Sequence, residues 1–191
     1  MPLPIGHAAV GLAVSELFPG EKTAIGRLKA AVVVAVLSNL PDVDVVLGLI
    51  LQWNGSAFHR GPTHSLLFAL VMGPLASRAW RVWAFMPKMS AGACTGVVLS
   101  HLLADRFLSG GPMSLLWPLE VGYATGHSGW GEVVRTVAFD GWQDNGIILA
   151  AVVFIVAVRF AKNGLAAAGD ARGPRHAVQP AAARRTLPFK G

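Results

Sequence analysis

The strongest constraint on this chain is a series of long apolar runs, such as AAVVVAVL at 30–37 and IILAAVVFIVAV at 147–158, set apart by short segments that carry Pro, Gly and charge. In lipid a backbone N–H or C=O finds no water, so a run of this kind has to satisfy its own hydrogen bonds as a helix. Five helical stretches are predicted, at roughly 4–18, 28–51, 62–83, 89–108 and 145–161. Hydrophobic residues make up 53% of the chain and charged residues only 14%, about half the charged share of an ordinary soluble domain, which excludes a typical soluble globule.

The expected fold is therefore all-α, a polytopic helical membrane protein with about 4–5 membrane helices packed as a bundle. The first stretch is shorter than a full span requires, and the second is interrupted by Pro41 in SNLPDVD. A proline lacks the backbone donor and disfavours helix before it, so a break is predicted at residues 39–44. Residues 109–143 are rich in Gly and read as a long loop with one short helix, and residues 162–191, made largely of Ala, Gly, Pro and Arg, read as a disordered basic tail. The domain division is thus 1–161 for the helical membrane domain and 162–191 for the tail. The apolar N-terminus has no basic segment before it and is expected to belong to the mature chain, not to a cleaved signal peptide.

The six Trp residues lie near the ends of the apolar runs, like an interfacial aromatic belt. The lone Cys94 leaves neither a disulfide framework nor a thiolate metal site. The net charge of +6 comes from residues scattered over loops and tail, not interleaved with aromatics on one face, so direct nucleic-acid contact is not expected. If the five stretches alternate across a bilayer, thirteen of the sixteen basic residues share one side, in segments 19–29 and 78–88 and from Arg159 onward. The positive-inside rule makes that side cytoplasmic. The opposite side then receives His7, Asp42, Asp44, His59, His64, His101 and Asp105, together with His127, Asp140 and Asp144. Were the first stretch not to cross, His7 alone would be stranded on the other face.

These polar residues carry the chemistry. His101 and Asp105 in SHLLAD are four apart on a helix and point the same way. PDVD puts Asp42 and Asp44 at the helix break, and carboxylates at membrane depth are costly unless paired, hydrated or metal-bound. In HRGPTHS, Gly61 and Pro62 make a turn, with His64 expected in the first turn of the next helix and His59 just before it. Imidazole and carboxylate without thiolate suit Zn, with Mn or Fe as alternatives, and one to three ions. The expected metal ligands are His7, Asp42, His59, His64, His101 and Asp105. Asp44, or Asp42 where it is not fully engaged as a ligand, is the expected proton acceptor for an attacking water, and Arg60 is expected to meet an anion beside the metal. Asp140 and Asp144 precede the last helix and read as its caps, while His127 and His176 read as solvated.

The ordered set HAAVG at 7–11, LPDVD at 40–44, HRGPTHS at 59–65, SHLLAD at 100–105 and GPMSLLWPL at 111–119 resembles the YdjM-like membrane-bound metal-dependent hydrolases, also described as LexA-binding, inner membrane-associated hydrolases. The resemblance implies a small multi-pass protein of the bacterial inner membrane that acts as a metal-dependent hydrolase. The motif order is also distantly similar to that of zinc-dependent phospholipases C, which implies His7, Asp42, His64, His101 and Asp105 as ligands, with Asp105 bridging two ions, and a phospholipid or lipid-linked phosphate as substrate. RFLSGGP, where relatives carry a Thr-Pro-Ser-Gly-like stretch, departs from the pattern. Two other readings are carried forward: a divalent-metal transporter or metal-binding membrane protein without catalysis, and a scaffold that meets a regulatory protein through the basic tail.

Overall fold

The computed structural model describes residues 3–21 and 23–171, and it is helical, with no strand among the described residues. Seven α-helices follow in order: α1 (Pro4–Ser15), α2 (Ala24–Ser38), α3 (Val43–Gln52), α4 (Leu66–Arg78), α5 (Ala91–Ala104), α6 (Trp130–Phe139) and α7 (Asn145–Ala171). Their starts follow the local chemistry. Thr23, Ser65 and Ser90 each accept a hydrogen bond from the backbone N–H three residues on, satisfying one of the donors a helix start leaves free.

The break expected at 39–44 is present. Pro41 sits in a short 3-10 turn, Leu40–Asp42, and the chain bends by 47° between α2 and α3. The last helix differs from the expectation. It crosses the boundary placed at 162 and runs to Ala171, because Lys162, Leu165 and the alanines at 166–168 are good helix formers. The tail assigned to 162–191 therefore begins inside α7, and residues 172–191 lie outside the described residues. The segment 109–143 is the expected long connection with one short helix, α6.

α5 is the axis of the bundle, and α1, α2 and α4 pack around it. Val34, Leu37, Ala69, Cys94, Val97, Val98 and Leu102 form the buried core. Close approach depends on small residues, as in helix pairs packed within membranes. A Cβ on Gly73 would lie 2.0 Å from Thr95 Oγ1, so α4 meets α5 almost backbone to backbone.

The outer face is apolar: Val36, Leu70, Leu149, Val153 and Phe160 are all at least 60% exposed. Soluble monomers do not present apolar surface on this scale. Asn145–Ala168 is long and apolar enough to cross a bilayer by itself, and the bent pair α2 and α3 reaches that length together.

Contacts between helices show which ends lie together. Asp144, at the start of α7, binds the start of α1, while Arg159 and Lys162 reach Glu16 at its end, so α1 and α7 run parallel. Lys29 lies over the Phe85 ring, 5.5 Å from its centroid, which brings the start of α2 to the segment after α4.

Candidate metal centre

Six elements converge on one buried polar cluster. α1 contributes His7, the 3-10 turn at the helix break contributes Asp42, and α3 begins with Asp44 in its first turn. The 59–65 turn supplies His59, Arg60 and His64. The end of α5 supplies His101, and a π-helical turn, Asp105–Ser109, supplies Asp105. His7, His64, His101 and Asp105 are fully buried. All eight sequence-predicted site residues lie in or against this cluster, whereas His127 is exposed and takes no part.

The inner donors face one another at short range. His64 Nε2 and His101 Nε2 are 3.2 Å apart, and each lies 3.5 Å from Asp42 Oδ1. Asp105 Oδ2 lies 3.5 Å from His64 Nε2, and Asp105 Oδ1 lies 3.4 Å from His7 Nε2. The rings of His7 and His101 stack with centroids 3.7 Å apart. Around a tetrahedral zinc with bonds of about 2.0–2.1 Å, neighbouring donor atoms lie roughly 3.3 Å from each other, which is the spacing seen here. His7–His101–Asp105, Asp42–His64–His101 and Asp44–His59–His64 are each close enough to share an ion.

Tautomers follow from the surrounding bonds. His101 Nδ1 lies 2.7 Å from the Ser38 carbonyl oxygen, which can only accept, so Nδ1 carries the hydrogen and a neutral ring turns its Nε2 lone pair inward. His64 Nδ1 lies 3.0 Å from Asp44 Oδ2, a carboxylate–imidazole pairing that orients Nε2 in the same way. Two lone pairs then face each other at 3.2 Å, beside carboxylate oxygens. Asp42 Oδ1, Asp105 Oδ2 and both nitrogens of His7 are buried without a hydrogen-bond partner. Buried polar atoms are rarely left so, and a bound cation accounts for the two carboxylate oxygens and one nitrogen of His7. The residues therefore fit a divalent metal.

Asp44 is the expected proton acceptor, but its carboxylate is already engaged by four groups. Oδ2 accepts from Thr63 Oγ1 at 2.6 Å and the Arg60 backbone N–H at 3.2 Å and faces His64 Nδ1, while Oδ1 lies 3.2 Å from His59 Nδ1. It orients two imidazoles instead. Arg60, expected to meet an anion, is buried, donates from Nη1 to the Gly110 carbonyl, and points Nε at Asp105 Oδ2, 3.8 Å away. Its backbone is left-handed, with φ at 66°, a conformation costly for a residue with a Cβ and found at over-determined sites. His64 stands one turn before α4, in its own 3-10 turn, because Ser65 is the cap.

Asp144 was read as a cap for the last helix and instead caps the first. It accepts from Leu3 N at 2.9 Å and from Gly6 N at 2.8 Å, 1% exposed. A Cβ at Gly6 would lie 2.6 Å from Asp144 Oδ2, so only glycine admits this bond next to His7.

An all-helical protein with an apolar outer surface and a buried His/Asp cluster of metal-ligand geometry is a membrane protein with a candidate metal centre. Comparison with known proteins supplies the family. The model of the YdjM inner membrane protein family matches residues 1–167, and the chain belongs to that family. It is similar to inner membrane protein YbcI of Escherichia coli (strain K12), 38% identical over 129 residues that cover 62% of this chain and 68% of the relative. No solved structure matches the chain.

Proposed function

We propose that this protein is a metal-dependent hydrolase of the bacterial inner membrane that cleaves phosphoester bonds of a phospholipid or lipid-linked phosphate. The observation that carries the reading is the set of inward-facing polar atoms on His7, Asp42, His64, His101 and Asp105, among which Asp42 Oδ1, Asp105 Oδ2 and both His7 nitrogens have no hydrogen-bond partner. A divalent metal held there, zinc first, supplies polarisation of the phosphoryl oxygens and a lowered pKa for an attacking water.

The chain's own residues do the rest. His101 and His64 are fixed in their donor tautomers by Ser38 and Asp44. His59 is held through Nδ1 by Asp44 and keeps a buried, unpartnered Nε2, which suits it to take the proton of a water as that water adds to phosphorus and the ester oxygen leaves. Arg60 braces Asp105 and the 110 turn. About 4–5 helices cross the bilayer in this reading, with the basic segments cytoplasmic and the centre toward the other face, as the charge pattern supports.

The test is hydrolysis by the zinc- or manganese-loaded protein in lipid nanodiscs, on a generic phosphodiester and a phospholipid, beside His64→Ala. Turnover by wild type, reduced at least about 100-fold in the variant, supports the proposal. A metal-transport reading is favoured by one observation, the broken α2 and α3 pair that lines the site. Bound metal without hydrolysis, with metal flux in proteoliposomes, would decide for it.

A further inference from the structure

Beside the metal centre, between α1, α7 and the π-helical turn, runs an apolar cleft of about 510 Å³. Val10 and Val14 form one wall, Ile147, Ala150 and Phe154 the other, and Leu108 closes one end. Two of its walls grow directly out of the site. Val10 and Val14 lie three and seven residues after His7, on the same face of α1, and Leu108 lies three after Asp105 in the same π-helical turn.

The cleft also has a direction. It starts level with Leu108, three residues after Asp105, and Gly146, two after Asp144, and follows the parallel helices α1 and α7 toward Phe154 and the end where Arg159 meets Glu16. From Gly146 to Phe154 is eight residues, about 12 Å along a helix. A molecule with a phosphate at the metal centre and an apolar chain in the cleft would thus lie as a lipid lies in a leaflet, headgroup at one face and chain pointing inward. An ordinary water-soluble phosphoester would leave this surface empty.

We propose that the cleft between α1 and α7 is a binding site for one hydrocarbon chain of a lipid phosphate whose headgroup lies at the His/Asp centre. The proposal rests on the hydrolase reading only for what happens to the headgroup, not for the binding itself. The cleft sets the substrate class by chain, selecting a lipid over a soluble ester. Ala150 stands on its wall, so a larger side chain there blocks the chain without touching a metal donor.

The test uses metal-loaded protein in phosphatidylcholine vesicles and hexadecyl phosphate that carries a diazirine midway along its chain. After illumination, adducts are mapped by mass spectrometry, with and without excess unlabelled hexadecyl phosphate, in wild type and Ala150→Trp, and cleavage of the phosphodiester and the phospholipid is followed with the same proteins. Labelling of α1 and α7 at the cleft residues, competed at least about fivefold by unlabelled probe and lost in Ala150→Trp, is expected. Labelling that resists competition, or that falls equally on the outer faces of α4 and α7, would mean ordinary surrounding lipid and would overturn the proposal. Competed labelling beside wild-type failure to cleave either the phosphodiester or the phospholipid would sink the hydrolase reading and leave the cleft standing, whereas cleavage without competed labelling would do the reverse. A wild-type melting temperature in Ala150→Trp shows that the loss is not misfolding.

Discussion

Two regions of this protein bury a carboxylate against α1, and they bury it differently. At one corner Asp144 is enclosed by the first turn of α1 and takes hydrogen bonds from Leu3 and Gly6. One helical face away, Asp105 is equally buried, yet its Oδ2 has no hydrogen bond and faces imidazole nitrogens, with only the Arg60 Nε at 3.8 Å on its other side. A carboxylate whose lone pairs are met by backbone donors holds a fold together, while one left without hydrogen bonds among ring nitrogens has room for a further cation. The first ties α7 to α1 and so sets where His7 stands; the second makes use of that placement.

The largest expected effect separates the two regions. Asp144→Ala leaves the Leu3 and Gly6 donors buried without acceptors, at about 1–3 kcal/mol each, and lowers thermal stability whether or not metal is present. Asp42→Ala acts the other way round, removing metal while leaving the stability of the chelator-treated protein near that of treated wild type. Melting in detergent with and without chelator checks both, and a similar pattern in the two variants would erase the distinction. In wild type, saturating metal at about 100 times its dissociation constant should add about 2.7 kcal/mol of stability. That gain should shrink as pH falls, because protons compete with metal for the imidazole donors.

Thr63→Val tests the support layer at a smaller scale. It removes the 2.6 Å hydrogen bond to Asp44 and should weaken metal binding about 10-fold through His64, with the fold intact. An unchanged affinity in a titration would mean that Asp44 does not set the ring. The smallest effect is for His127→Ala, where neither metal content nor melting should move, since the residue is exposed and apart from the cluster.

Much of this was legible in the sequence because polar residues stand out against an apolar chain. The proline break, the HRGPTHS turn and the His-x-x-x-Asp helix are local patterns, and all of them come together in the cluster. The roles of Asp144, Asp44 and Arg60 were not legible. Asp144 meets Gly6 across 138 residues of sequence, and nothing near either one names the other. Asp44 looks like a free proton acceptor until Thr63 and the Arg60 backbone are folded onto it, 16 to 19 residues away. The length of α7 was underestimated because the Ala- and Gly-rich composition past 161 was weighed as disorder before its helix propensity.

The central claim is that the unpartnered donors around Asp105 and His64 hold a metal ion. Elemental analysis of purified wild type beside His64→Ala and Asp105→Ala, each shown to be folded, tests it directly. The account predicts at least one divalent ion per chain in wild type and well under half of that in either variant. Equal metal content in all three proteins would contradict it.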